Sequence, residues 1–125
     1  MIEKQKSELL KPYIDQKYSD SGFINFDKVP AAIAQQFLSE WPNTDPQGRQ
    51  NKSPTMKKLV ELAVQYNGTL NGYCVTVESG RDDARIQFDA VVLKIDKPTA
   101  TRLKRNLKPD NLSLLSDGTY RFWWD

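Results

Sequence analysis

NGTLNGYCVTVESGRDDARIQFDAVVLKI, residues 67 to 95, holds the sharpest strand alternation in the chain together with its sharpest turn. Tyr73, Val75 and Val77 fall on one side of an extended backbone, and Cys74, Thr76 and Glu78 fall on the other. After the polar run Ser79-Gly80-Arg81-Asp82-Asp83, the residues Ile86, Phe88 and Ala90 resume the period of two, which is the pattern of a β-hairpin. The apolar phase then slips between Ala90 and Val91, and Val91, Leu93 and Ile95 alternate beyond it. Either a bulge or a strand end buried on both faces is expected at that point.

Upstream of the hairpin, Ser53-Pro54 opens a helix whose apolar stripe is Met56, Leu59, Val60, Ala63 and Tyr66 and whose exit is Asn67-Gly68. Residues 42 to 52 form a polar connection rich in helix breakers. Before it, Asp27 is read as an N-cap with Pro30 in the first turn, and Ile33, Ala34, Phe37, Leu38 and Trp41 recur at helical spacing up to Pro42. Phe23-Ile24-Asn25-Phe26 suits a brief strand. The first segment, residues 2 to 18, carries a helical stripe through Leu9, Leu10, Tyr13 and Ile14 that Pro12 kinks or breaks. Downstream, Pro98 starts a helix with the seam Ala100, Leu103 and Leu107. A closing hairpin turns at Asp117-Gly118, with Tyr120, Phe122 and Trp124 on one face and Arg121 and Trp123 on the other. The expected fold is one α+β domain over residues 1–125. Its helices lie near 3–18, 28–41, 54–66 and 98–108, packed on a small antiparallel sheet built from hairpins 70–95 and 112–124.

Composition excludes more than it selects. The 125 residues suffice for one core but not for two domains. With no histidine, every mechanism that needs an imidazole base is excluded, and one cysteine without histidine assembles no ordinary zinc site. Cys74 lies inside a strand and reads as a small buried hydrophobe. Asp82, Asp83 and Asp89 are the only carboxylates grouped near a turn, and with Arg81 and Arg85 among them they read as a solvated loop. Gly68, Gly72 and Gly80 follow no phosphate-loop spacing. No enzyme, cofactor or metal is therefore expected. No apolar run exceeds four residues, as at Ala90–Leu93, so neither a membrane span nor a secretion leader is expected and the location is read as cytoplasmic.

The order of elements from residue 2 to 95 resembles the winged-helix form of the helix-turn-helix family. Gly22-Phe23-Ile24-Asn25-Phe26-Asp27 looks like the lead-in to that family's second helix, Ser53-Pro54-Thr55-Met56-Lys57-Lys58-Leu59 like the start of its recognition helix, and residues 69 to 95 like its wing. The resemblance implies that Lys52, Thr55, Lys57 and Lys58 meet DNA, with Arg81 and Arg85 reaching an adjacent groove.

Charge supplies a second indication. Lys94, Lys97, Arg102, Lys104, Arg105 and Lys108 stand against Asp96 alone, so residues 94 to 108 carry +5 of a formal total of +2 and the rest of the chain carries −3. A helix that presents Arg102, Arg105 and Lys108 at spacings of three suits neighbouring phosphates, and Trp123 on the outer face of the last strand suits a stacked base. The candidate nucleic-acid contacts are thus Lys94, Lys97, Arg102, Arg105, Lys108, Lys57, Lys58 and Trp123, with DNA or RNA as partner. A protein-interaction module or inhibitor, acting through the aromatic carboxyl-terminal strand and the 42–52 loop, is the alternative. Salt separates the two, because a phosphate-led contact weakens steeply as salt rises and an aromatic-centred protein interface does not.

Overall fold

β2 (Thr69–Val75) and β3 (Arg85–Leu93) pair antiparallel at the centre of a five-stranded sheet of order β1-β2-β3-β5-β4, in which every neighbour is antiparallel. This computed structural model describes residues 10–15, 23–40, 54–75 and 85–124. The hairpin tip with Asp82 and Asp83, the 42–52 loop and most of the first expected helix lie outside the described residues. β1 is Phe23–Pro30; three helices follow as α1 (Ala31–Glu40), α2 (Met56–Gln65) and α3 (Lys97–Leu107), and β4 (Asn111–Leu114) and β5 (Tyr120–Trp123) close the chain. The α+β class and the single sheet joining both hairpins are as the sequence leads one to expect.

One face of the sheet is apolar and carries the helices. Phe26, Val29, Leu70, Phe88, Val91, Leu93 and Phe122 from the strands are buried in one cluster with Phe37, Leu59, Val60, Ala63, Ala100 and Leu103 from the helices. Phe37 meets Phe88 edge-on, with ring centroids 6.4 Å apart. α2 buries Met56, Leu59, Val60 and Ala63, the i, i+3, i+4, i+7 set of an amphipathic helix, and Leu62 beside them. Its N-cap is Thr55 rather than Ser53, because the Thr55 hydroxyl accepts the Lys58 N–H at 3.2 Å. Its exit places Asn67 in the left-handed region at φ 52 while the Gly68 N–H returns to the Ala63 carbonyl at 2.8 Å.

Two of the expectations fail at bulges. The helix expected over 28–41 begins only at Ala31, and residues 27 to 30 belong to β1, so Asp27 is no N-cap and the strand is twice as long as Phe23–Phe26. Phe26 faces Gly72 and Val29 faces Leu70, which leaves Asp27 and Lys28 together opposite Asn71. Lys28 adopts φ 56, and its N–H donates to Asn71 Oδ1 at 2.9 Å, so the Asn71 side chain supplies the bond the ladder lost. On the other side of β2, Gly72 faces Phe88 and Asn71 faces Ala90, so Asp89 is the extra residue; the bulge sits there rather than between Ala90 and Val91. Ala90 therefore does not continue the Phe88 row. Tyr73 also lies on the face away from the helices, where it stacks on Phe23 at 5.1 Å.

The helix expected over 3–18 is not continuous: the break expected at Pro12 is present, and residues 16–18 lie outside the described residues. Lys11–Tyr13 form a 3-10 turn with Pro12 in it, Ile14 is already extended at ψ 128, and the Asp15 N–H donates to the Asn25 carbonyl on β1. The closing hairpin has a three-residue loop rather than a two-residue one. The Gly118 N–H closes a turn on the Leu115 carbonyl and Gly118 itself, at φ 86, delivers the chain to the Leu115 N–H to Thr119 carbonyl bond.

α3 is capped at both ends. Asp96 Oδ1 accepts the Thr99 N–H at 2.9 Å, Pro98 sits in the first turn, and Lys108 ends the helix in the left-handed region with its N–H on the Lys104 carbonyl. Thr99's side chain and then its backbone N–H hold the Asp96 carboxyl below its ordinary 3.8, and the Arg102 charge adds to this. A depressed folded-state value means that the contribution is complete above 3.8 and is lost as pH falls below it. Asp96→Asn keeps an acceptor at the cap and removes the titration. Thermal midpoints measured from neutral pH down to the carboxylate range should fall less steeply for the variant than for the wild type; parallel curves would refute the contribution of the Asp96 titration.

Candidate binding surfaces

α3 turns Ala100 and Leu103 inward and leaves Lys97, Arg102, Lys104, Arg105 and Lys108 exposed, with Lys94 exposed just ahead of it. The buried pair fixes the rotation of the helix, so the cations stand on a rigid outer face. Arg102 Nη2 reaches the Tyr66 hydroxyl at the end of α2, at 3.5 Å. At the other end the Trp124 indole N–H donates to the Leu107 carbonyl at 3.2 Å, which satisfies one of the carbonyls a helix terminus leaves open. Lys57 and Lys58 are exposed on the first turn of α2, while Thr55 is engaged as the cap of that helix. Lys52 and Arg81 lie outside the described residues.

Trp123 does not join the α3 cations. Phe122 and Trp124 point to the helix-bearing face, so Trp123 between them points to the other, half-buried, with the Arg121 guanidinium 6.0 Å from its ring centroid. Of the other candidate nucleic-acid contacts, only Lys94 lines that side with it.

There the open sheet face forms a groove of about 640 Å³ that runs from the β1 bulge across β2 and β3 to the β4–β5 turn. β1 contributes Asn25, Asp27 and Lys28, β2 contributes Asn71, β3 contributes Asp89 and Val92, and β5 contributes Arg121 and Trp123; Asp15, Lys94, Asp117 and Thr119 complete the wall. Asp117 accepts from the Thr119 hydroxyl and from its N–H at 3.0 Å. Those two bonds, hydroxyl first, hold its carboxyl below the ordinary value, and the charge of Lys28 acts in the same direction. Among the described residues the wall thus holds four carboxylates and three cations. No group of His, Cys, Asp and Glu among the described residues is arranged to hold a metal ion. No helix among them is long and apolar enough to cross a membrane.

Of the groove, the sequence had singled out Lys94 and Trp123, and Asp89 as a turn carboxylate. Asp27, Lys28 and Asn71 were missed, since only the strand register brings them together. The phase slip near Ala90 was the one signal pointing there. No family model, curated protein or solved structure matches the chain.

Proposed function

We propose that this chain is a small non-enzymatic nucleic-acid-binding protein of the cytoplasm that grips phosphates with the outer face of α3. The observation that carries the reading is the uniform exposure of Lys97, Arg102, Lys104, Arg105 and Lys108 on a doubly capped helix whose only acid, Asp96, is spent at the N-cap. Cations at helical spacing on a fixed face neutralise successive phosphates and release counterions, which makes affinity depend on salt. Lys57 and Lys58 on α2 would extend the contact as the winged-helix resemblance implies.

Changing Arg102, Arg105 and Lys108 together to Gln should leave the fold intact, because Ala100 and Leu103 still supply the seam and exposed substitutions cost well under about 1 kcal/mol each. Binding of a labelled oligonucleotide should weaken, and the slope of log K against log salt should flatten by about 2 to 3 if each side chain meets one phosphate. An unchanged slope, or no retardation of DNA or RNA by the wild type at low salt, would support the second reading. In that reading the protein binds a protein partner through the open sheet face, where Trp123 and Arg121 supply the kind of anchor on which protein interfaces concentrate their energy.

A further inference from the structure

We infer that the open-face groove is a pocket for an amino-bearing nucleobase, an unpaired cytosine, adenine or guanine. The inference rests on the nucleic-acid reading for the strand that delivers the base, but it has its own site. A cleft of about 640 Å³ is of the size that holds a small ligand. Among its described lining residues four carboxylates stand against three cations, so the wall offers no net positive charge to a phosphate.

The polar atoms match a base edge. Asp27 accepts from an exocyclic amino group, as carboxylates do from cytosine N4, with Asp89 beside it on the wall. Asn71 Oδ1 is engaged by the Lys28 N–H, which leaves the amide its NH2 donors for a ring nitrogen or carbonyl. The half-buried Trp123 ring supplies a stacking surface on the same wall. Thymine and uracil lack the exocyclic amine and are the poorer ligands.

The backbone supports this assignment. Both register shifts of β2 meet at Asn71, one bringing Asp27 and Lys28 opposite it and the other Asp89, and Lys28 keeps a left-handed φ of 56 without being glycine. Bulges and strained backbone persist where they aim side chains at a ligand. Lys94 lines the groove and is also the first cation in sequence of the run that continues through α3, the one residue common to both surfaces.

The test uses nucleosides, which carry no phosphate and so do not depend on α3. Cytidine and adenosine should shift the Trp123 indole N–H resonance, assigned through Trp123→Phe, at concentrations about tenfold lower than thymidine, as one good base-edge contact discriminates. Asp27→Ala, which removes the acceptor, should abolish that preference without unfolding the protein, since Asp27 is exposed. In parallel, an oligo-dC should bind about tenfold more tightly than an abasic oligomer of equal length, and the triple α3 variant should weaken both alike. Equal affinity for the two oligomers with no nucleoside shift overturns the pocket and leaves the α3 reading standing. A selective nucleoside shift with neither oligomer bound overturns the α3 reading instead. A shift produced equally by thymidine or by a simple monosaccharide overturns the nucleobase assignment.

Discussion

Replacing Trp124 with alanine should lower the unfolding free energy by about 4 kcal/mol, as truncation of a large buried aromatic usually does. The side chain is 1 % exposed and belongs to the same cluster as Ala100, Leu103 and Phe122, so its loss empties the space between β5 and α3. It also removes the indole N–H from the Leu107 carbonyl. Trp124→Phe separates the two contributions: most of the volume stays, and the unpaired carbonyl alone should cost about 1 to 3 kcal/mol. Urea unfolding of both variants measures the difference. In the alanine variant, amide exchange in α3 should rise before exchange in β2 and β3, because the indole is what ties the end of that helix to the sheet. A loss below about 1 kcal/mol for the alanine variant would show that α3 is held by other contacts.

Gly68→Ala should cost about 3 kcal/mol although it adds a single methyl group, at the upper end of what overpacking does. A Cβ at Gly68 would stand 2.2 Å from the Val92 carbonyl oxygen and 2.9 Å from Leu93 Cδ2, and the first of these is backbone in the central strand, which has no side-chain rotamer to change. Gly72 meets the same limit against the Gln87 carbonyl, at 2.4 Å. Gly118 makes the control: its added Cβ would meet nothing within 4 Å, so Gly118→Ala is opposed only by its φ of +86 and should cost about 1 kcal/mol. Thermal melts should rank Gly68→Ala well below Gly118→Ala. The reverse order would place the helix α2 exit farther from β3 than described.

What could be read from the residues was what obeys a simple period. α2 and α3 carry uninterrupted apolar stripes with recognisable caps, and their limits, Met56–Gln65 and Lys97–Leu107, fall within two residues of the expected 54–66 and 98–108. The alternation of Tyr120, Phe122 and Trp124 against Arg121 and Trp123 likewise survives folding, since no bulge interrupts β5. β1 was misread for a physical reason. Its bulge separates the core residues Phe26 and Val29 by three positions instead of two, which is the spacing of a helical face, and this runs directly into the true helical stripe of Ile33 and Ala34. The same device at Asp89 broke the Phe88 row. The basic face of α3 was legible because charge and period coincide within one helix. The groove was not, because its walls come from residues as distant as Asp15 and Trp123 and meet only through pairing register.

The two margins of the sheet are unlike, and this limits how copies of the chain can associate. The β1 margin is guarded: Ile14 bridges to Phe26, the bulge carries Lys28, and Pro30 withholds a donor. At the β4 margin, among the described residues, nothing comparable is found; its four residues end in Leu114, which is 65 % exposed. A sheet with one receptive margin can add one neighbour. If two copies meet there, β4 against β4 about a two-fold axis, both receptive margins are consumed and growth halts at a pair, whereas a sheet receptive on both sides could extend into a fibre. The eight-residue, kinked first strand is thus the margin less suited to pairing with a second copy, as well as a wall of the groove.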